Sequence, residues 1–487
     1  HKIIKSSVWV YAAKWFTKLI GLISTLILAR ILTPDDFGIM ALAGSVYALV
    51  ELIRAFGFDT ALIQKQNANR GHYDTAWTMQ VIFSLAASAL LVLISNLVAE
   101  FYNDERLVDV LKMMAIIIMI NGFDNIGIVE FRKQLNFHKE FYFRVIVKVC
   151  GFCVTIPLAW YWRSYWALLF GMLTTNLVSF VLSYIMQSYR PRLTLVEWKE
   201  LLGFSSWLML NNMLSFVSQH AQNFILGKVS GSGSLGVFSV ANDVAMIVSG
   251  GIIAPINRAA YPGYSKVSKI VPKLKQTYIK TLEYILILIF PFGFGVVAVA
   301  PVLVPVMLGD KWESAIVNIQ LLSVASILIA INASALYVFL AVEKQKINTK
   351  ILLIRMVFLI PSMLYLSYLY GVLGVSISVL LTAIIEFPIT QMMLNRVILS
   401  NGYEFIKICY RPFVASLIML VSIYYWHQFI TLRYFVEMNL GALGIEIFIG
   451  FSVYMFFILG LAMCFNRNGR EINLIKQFVR KCGLLRK

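Results

Sequence analysis

Seven lysine and arginine side chains fall inside long apolar runs of the sequence. A charge at the middle of a bilayer costs about 3 kcal/mol, so each needs an opposite charge, a water-lined cavity or a route to the membrane surface. The seven are Lys14, Lys18, Arg54, Lys112, Arg144, Lys148 and Arg355. Side chains of this kind donate charge-assisted hydrogen bonds to phosphate oxygens.

Lys18 lies deepest among these cations. At 1.5 Å per residue, Lys14 is about 9 Å and Lys18 about 15 Å from the start of the first apolar run near Val8. The two are four residues apart and share one helix face, which we expect to line water. Arg54, Lys112 and Arg144 lie near predicted helix ends, where their long stems can reach the surface.

Three acidic residues lie at a depth similar to that of these cations. The predicted pairs are Lys14 with Glu51, Lys148 with Asp124, and Arg355 with Glu386. Two interpretations stay open, neutral ion pairs that only support the scaffold and groups that take part in ion coupling. Together with Lys18, Arg54 and Arg144 the set keeps a positive surplus, which suits a pyrophosphate better than a cationic drug.

A second kind of polar residue runs along the seventh predicted span. It comprises Asn211, Asn212, Gln219, His220, Gln222 and Asn223, with Asp243 in the next span. Such side chains can hydrogen-bond sugar hydroxyls, or join helices at about half a kcal/mol each. We take Asn212 and Gln219 as candidate substrate contacts. His220 and Asp243 are candidates for ion coupling, although a histidine here can equally be a plain hydrogen-bonding group.

The elements that position these residues follow from composition. The chain has 487 residues, of which 60% are apolar and 14% charged. Soluble domains have about a quarter of their residues charged, so a soluble, disordered or nucleic-acid-binding protein is excluded. Runs of roughly 20 apolar residues predict an all-α polytopic membrane protein. Fourteen runs begin near Val8, Phe37, Ala76, Val108, Phe141, Tyr165, Ser205, Val237, Ile279, Ser314, Ile351, Val372, Pro412 and Leu440.

The distribution of lysine and arginine predicts the orientation. The two tails and the even-numbered connections hold 29 of these residues, and the odd-numbered connections hold 6. Because positive loops stay inside, both termini are predicted to be cytoplasmic. The basic tail, residues 467–487, is expected to contact anionic lipid headgroups.

Cofactor chemistry is not indicated. The connections have no room for a nucleotide-binding domain, and no P-loop, dinucleotide-binding turn or zinc-ligand cluster occurs in the sequence. Cys150 and Cys153 have a redox-like spacing but lie in an apolar run, where they are interpreted as small hydrophobic residues. We therefore expect neither an enzyme nor a cofactor, apart from a coupling proton or sodium ion.

An internal repeat appears at an offset of 198 residues. Residues 26–46, LILARILTPDDFGIMALAGSV, align with residues 224–244, FILGKVSGSGSLGVFSVANDV. Identical pairs include Gly38 with Gly236 and Ala43 with Ala241. A period of six spans predicts a parallel repeat about an axis along the membrane normal. The predicted domains are six-helix lobes at 1–200 and 201–400, two appended helices at 401–466, and the tail.

The stretches LARILTPDDFGIMALA (28–43) and FGFDTALIQ (56–64) resemble the first hairpin of Wzx-type polysaccharide flippases, of the multidrug/oligosaccharidyl-lipid/polysaccharide exporter superfamily. The close resemblance covers about the first sixty-five residues. The resemblance implies a bacterial inner-membrane transporter that works by alternating access. Its substrate would be an undecaprenyl-pyrophosphate-linked oligosaccharide for O-antigen, capsule or exopolysaccharide synthesis. Other polysaccharide-assembly proteins would act with it. A multidrug antiporter or a lipid II flippase of the same superfamily stays open, and a polytopic membrane polymerase is a further alternative.

Overall fold

The structure, a computed structural model, describes residues 2–52, 58, 62–63, 65, 68–134, 136–198, 206–247, 249–434 and 439–465. Within these ranges the chain is helical and forms no strand. The long helices are α1 Lys2–Ile31, α2 Pro34–Glu51, α3 Arg70–Tyr102, α4 Arg106–Gly122, α5 Phe137–Trp162, α6 Trp166–Met186, α7 Ser206–Ala245, α8 Ala254–Val267, α9 Val271–Leu303, α10 Ala315–Ala341, α11 Gln345–Ile398, α12 Gly402–Tyr434 and α13 Leu440–Phe465.

Two of these helices each contain two predicted spans. The backbone of α7 leaves the helical region at Gly231 (φ 78°) and that of α11 at Gly371 (φ 56°). A positive φ costs glycine little, so the chain can turn there between two helical segments. The eighth predicted span is broken as well, because α7 ends at Ala245 and a π-turn at Ser249–Ile253 precedes α8.

Nine of the described helices are long and apolar enough to cross a bilayer. Each of the fourteen predicted spans falls on a described helical segment. The prediction of an all-α, multi-pass membrane protein is therefore confirmed.

Backbone proximity divides the chain into two compact units. Unit 1 contains residues 1–239 and 367–372, and unit 2 contains residues 240–366 and 373–487. The predicted lobe boundaries near 200 and 400 stay a prediction, because compactness does not report which segments move together.

Unit 1 places its chemistry at the two ends of its helices. The start of α2 lies beside the end of α3 and the start of α4, since Arg106 donates to both Asp35 and Asp104 there. We call this the upper end of unit 1, and the end where α3 begins the lower end. Residues 187–195 leave α6 without helical structure and run along the first turns of α3 at the lower end.

Unit 2 contains an extended apolar core around α9. Helix α9 buries Tyr278, Leu282, Ile285 and Ile289 on one face, at the spacing of an amphipathic helix. This face packs against α10, α8 and the ends of α11.

Candidate functional site

The sequence LTPDDFG builds the start of α2. Thr33 caps the helix, because its hydroxyl accepts a hydrogen bond from the Asp36 amide (3.3 Å) while Asp36 Oδ2 accepts from the Thr33 amide (2.9 Å). This reciprocal capping box satisfies two amides that a helix start leaves unpaired. Pro34 occupies the first helical position, where a missing amide costs nothing. The other carboxylate oxygen of Asp36 accepts from the Tyr165 amide (2.9 Å), which ties α2 to the start of α6.

The start of α2 lies directly against the second segment of α7. A Cβ on Gly38 would collide with the carbonyl of Ser232 and lie 3.0 Å from the amide nitrogen of Gly236. A Cβ on Gly236 would collide with the carbonyl of Pro34 and lie 2.9 Å from the Gly38 nitrogen. Only glycine allows this approach of two backbones. We call this arrangement the upper contact.

Arg106 crosses the same region and joins three segments. Its guanidinium binds both Asp104 oxygens (2.9 and 2.7 Å) and Asp35 Oδ2 (2.5 Å), and donates to the Ser232 hydroxyl (3.4 Å). Ser232 in turn donates to Asp35. Asp35 precedes the predicted span that begins at Phe37, and the hydrogen bond from Arg106 holds the pKa of its carboxyl below the usual range. In the sequence, Arg106 is one of the six cations of the odd-numbered connections, and its position indicates none of these contacts.

A cavity of about 330 Å³ adjoins the upper contact. It is lined by Ile39, Leu42, residues 102–107, Gly227, Gly231 and Ser232. Lys228, next to Gly227, donates to the Phe101 carbonyl, and its ammonium lies 4.6 Å from the centre of the Phe101 ring. The upper end of unit 1 is therefore held by backbone contact, ion pairs and a cation–π contact together.

The polar residues of α7 divide into two groups in the structure. Asn223 donates to the Ser45 hydroxyl (2.8 Å), and His220 Nδ1 lies 3.4 Å from the same oxygen. His220 and Asn223 therefore join α7 to α2. This is the second of the two roles that the sequence left open for these polar residues, the first being contact with sugar hydroxyls. Gln219 is exposed on α7, and Asp243 is exposed near the end of the same helix. The side chain of Asn212 lies outside the described residues.

Arg144 is paired at the lower end of unit 1. Its guanidinium donates to Glu140 Oε1 from Nη2 (2.7 Å) and Nε (2.9 Å), and Arg132 Nε donates to the same oxygen (3.0 Å). Glu140 is buried. Glu140 therefore binds two arginines through one oxygen. Glu140 was not singled out from the sequence, because an acid in the first turn of a helix is ordinary.

Asp124 and Lys148 are not brought together. Asp124 lies in the turn after α4, and its Oδ2 accepts a hydrogen bond from Ser179 on α6 (3.0 Å). No ion pair joins Asp124 to Lys148 within the described residues, and Lys148 is exposed on α5. Equal depth was the basis of this predicted pair. Rotation about the helix axis decides which neighbour a side chain meets, and depth does not determine it.

Arg355 and Glu386 are brought together in unit 2. Arg355 Nε, on the first segment of α11, lies 3.9 Å from Glu386 Oε2 on the second segment. The Glu386 side chain is 10% exposed and that of Arg355 28% exposed. The pair is therefore largely removed from solvent in a helix hairpin.

The remaining predicted charges lie on α1 and α2 or outside the described residues. Lys18 is exposed on α1, and Glu51 is half-buried as the last residue of α2. The side chain of Lys14 and the whole of Arg54 lie outside the described residues.

The structure also contains a histidine–glutamate contact that sequence reasoning missed. His427 Nδ1 on α12 lies 3.0 Å from Glu446 Oε1 on α13, whose side chain is 5% exposed. Both helices lie in the segment of the two appended spans. A lone histidine and a lone glutamate, nineteen residues apart, give no signal until the hairpin packs. In the parts of the chain that the structure describes, no group of three or more His, Cys, Asp or Glu residues could hold a metal ion.

The family described as polysaccharide biosynthesis protein matches residues 27–317 of this chain. The lipopolysaccharide biosynthesis protein WzxC of Escherichia coli (strain K12) is 24% identical over 429 residues, covering 87% of each chain. The succinoglycan biosynthesis transport protein ExoT of Rhizobium meliloti (strain 1021) is 22% identical over 309 residues, covering 63% of each chain.

Among solved structures, the lipid II flippase MurJ in an inward closed conformation has a similar fold. The TM-score is 0.74 and the identity 15%, over 93% of this chain and 98% of that chain. The family match spans more than half of the sequence, including the capped start of α2 and the upper contact. This chain belongs to the polysaccharide biosynthesis protein family.

Proposed function

We propose that this chain is a transporter that flips a polyprenyl-pyrophosphate-linked oligosaccharide from the inner to the outer leaflet of a bacterial cytoplasmic membrane. Membership of the polysaccharide biosynthesis family is the observation that supports this most. The names of two relatives, a lipopolysaccharide biosynthesis protein and a succinoglycan transport protein, agree with it. The product would serve O-antigen, capsule or exopolysaccharide assembly.

The charges suit an anionic headgroup. Lys18 and Lys148 are exposed on α1 and α5, two helices that pack against each other in unit 1. The cluster of Arg132, Arg144 and Glu140 places two arginines at the lower end. Pyrophosphate oxygens would accept hydrogen bonds from such groups. We assign Lys14, Lys18, Arg54, Arg144, Lys148 and Arg355 to the headgroup, and Asn212 and Gln219 to the sugars.

Transport would proceed by alternating access. The positive-inside rule assigns the upper end of unit 1 to the outer side of the membrane. The upper contact would then close that side while the headgroup enters from the cytoplasm, and its separation would open it. A proton or a sodium ion is the expected coupling ion, with His220, Asp243 and Glu386 as candidate carriers.

The orientation has its own test. A cysteine at exposed Lys269, between α8 and α9, should resist an impermeant thiol reagent in intact cells of a strain whose chain lacks its native cysteines. A cysteine at exposed Asp310, beyond the far end of α9, is the matched control and should react. Labelling at Lys269 and protection at Asp310 would reverse the orientation.

A lipid II flippase is the second candidate, favoured by the fold shared with MurJ over 93% of this chain. The two candidates differ in which lipid accumulates. Cells lacking this protein should hold lipid-linked oligosaccharide in the inner leaflet while lipid II still reaches the outer leaflet. The reverse distribution would favour the second candidate. Normal sidedness of both lipids would overturn the proposal.

A further inference from the structure

A second cavity, separate from the predicted in-membrane cations, opens at the lower end of unit 1. Its volume is about 420 Å³. It lies where α5 begins and α6 ends, and we call it the lower cavity. The lining residues are Glu130, Phe131, Gln134, Asn136, Lys139, Tyr184, Ile185, Met186, Gln187, Ser188 and Arg190.

Two cations of the lower cavity are held by aromatic rings. Lys139 Nζ lies 5.7 Å from the centre of the Phe131 ring, and Arg190 Cζ lies 5.6 Å from that of Tyr184. Contacts of this kind hold a cation in place without neutralising it. Arg190 is positioned further because its Nη1 donates to the carbonyls of Gln187 (2.6 Å) and Tyr189 (3.0 Å).

These cations keep donors available for a ligand. Within the described residues Lys139 forms no ion pair, and the Nη2 and Nε groups of Arg190 form no hydrogen bond. Both side chains belong to exposed residues. The hydroxyl of Ser188 and the amide of Gln187 line the same cavity. The lower cavity thus presents two fixed positive charges with polar groups between them.

The carboxylate of Glu130, which lines the lower cavity, accepts hydrogen bonds on both of its oxygens. Glu130 Oε2 accepts from the Tyr73 hydroxyl (2.6 Å), and its Oε1 accepts from Gln134 Nε2 (2.9 Å). Asn136 then donates to Gln134 (3.2 Å), which extends the chain of hydrogen bonds along the wall. Glu130 keeps its negative charge, but Lys139 and Arg190 outnumber it, so the lining retains a net charge of +1. The cavity therefore favours an anion.

The position of the cavity indicates which anion. It lies at the ends of two apolar helices, which the distribution of lysine and arginine assigns to the cytoplasmic side. Basic pockets between membrane helices on that side bind lipid headgroups. Arginine and lysine together match the several oxygens of a phosphate. We propose that the lower cavity binds a phosphate-bearing headgroup through Lys139 and Arg190. This site goes beyond the proposed function, since it does not depend on what is transported.

The test measures binding to the purified full-length chain. Native mass spectrometry would compare retention of phosphatidylglycerol and of phosphatidylcholine by wild type and by the double variant Lys139→Gln with Arg190→Gln. Loss of two charge-assisted hydrogen bonds should weaken phosphatidylglycerol retention about tenfold or more. Lys344→Gln with Lys346→Gln, which changes two exposed lysines of unit 2, is the matched control and should retain the lipid.

A second measurement identifies the source of the phosphate. Inorganic pyrophosphate should raise the melting temperature of wild type and not that of the double variant if a free phosphate suffices. Retention of phosphatidylglycerol without a response to pyrophosphate would assign the site to lipids alone. Arg190→Lys should keep most of the binding, which separates loss of charge from loss of folding. Equal lipid retention and an equal melting response in wild type and the double variant would overturn the proposed site. The proposed transport function would still stand, because it does not depend on this site.

Discussion

Gly38 of α2 and Gly236 of α7 lie backbone to backbone, and their contact is reciprocal. Each glycine faces the carbonyl of the residue four positions before the other, Ser232 in one case and Pro34 in the other. Gly236 follows Gly38 by 198 residues, and Ser232 follows Pro34 by the same number. A contact that is unchanged when its two sides are exchanged is the mark of a two-fold axis. The parallel repeat predicted from the sequence has such an axis along the membrane normal.

This contact predicts a steric penalty at both glycines. Gly38→Ala and Gly236→Ala would push methyl groups into backbone atoms that cannot move aside, at about 1–3 kcal/mol each. We expect a lower melting temperature and reduced export at matched protein level. Gly44→Ala and Gly233→Ala are the matched controls, because a Cβ there meets nothing within 4 Å. Equal behaviour of Gly38→Ala and Gly44→Ala would show that the two helices do not approach so closely.

Arg106 should control access to the upper end more than it controls folding. Its side chain is 41% exposed and that of Asp35 42% exposed, so their ion pair contributes less than about 1 kcal/mol to stability. Arg106→Gln removes the donors to Asp35, Asp104 and Ser232, and should loosen the upper contact. A cysteine at Ser232 should then react faster with an impermeant thiol reagent, while the melting temperature hardly changes. Arg163→Gln, an exposed arginine in the connection before α6, is the control. An unchanged reaction rate in Arg106→Gln would remove Arg106 from the contact.

The pair of Arg355 and Glu386 should behave as a unit. Removing one partner leaves a buried charge unpaired, which costs about 3–5 kcal/mol, whereas removing both restores a neutral site. Arg355→Met and Glu386→Gln should each lower the protein level and the melting temperature more than the double variant does. Arg396→Met, an exposed arginine of the same helix, serves as control. Additive losses in the double variant would mean that the two side chains act independently.

Lys18 should act through its charge. Export should fall in the order Lys18→Arg, Lys18→Gln, Lys18→Glu, since arginine keeps the charge with a different geometry and glutamate reverses it. Removing a cation from the span relieves an insertion cost, so the variants should still insert. Lys112→Gln, an exposed cation within α4, is the matched control. Full export in Lys18→Glu at matched protein level would remove Lys18 from the headgroup site.

The sequence predicted the helices and missed most of the contacts between them. Apolar runs depend on composition alone, so the spans were accessible from the sequence. The offset of 198 aligned Gly38 with Gly236, which lie close together in the structure. The alignment could not predict that the two backbones approach each other, because that depends on how the helices cross.

Side-chain partners were the least predictable part. Depth placed Arg355 beside Glu386, because the two occur in one hairpin at matching heights. The same argument failed for Asp124, which follows the end of its helix and faces Ser179. The partners of Glu140 and Glu446 depend on helix rotation, which composition and spacing do not report.

The central claim, that this chain alone moves a lipid-linked oligosaccharide across a bilayer, is tested most directly by reconstitution. Purified protein would be placed in sealed vesicles that hold polyprenyl-pyrophosphate-linked oligosaccharide in both leaflets, with an impermeant glycosidase added outside. The account predicts that the protected inner pool becomes cleavable with wild type, more slowly with Lys18→Gln, and not in protein-free vesicles. An inner pool that stays protected at the rate of protein-free vesicles, with correctly folded wild-type protein present, would contradict it.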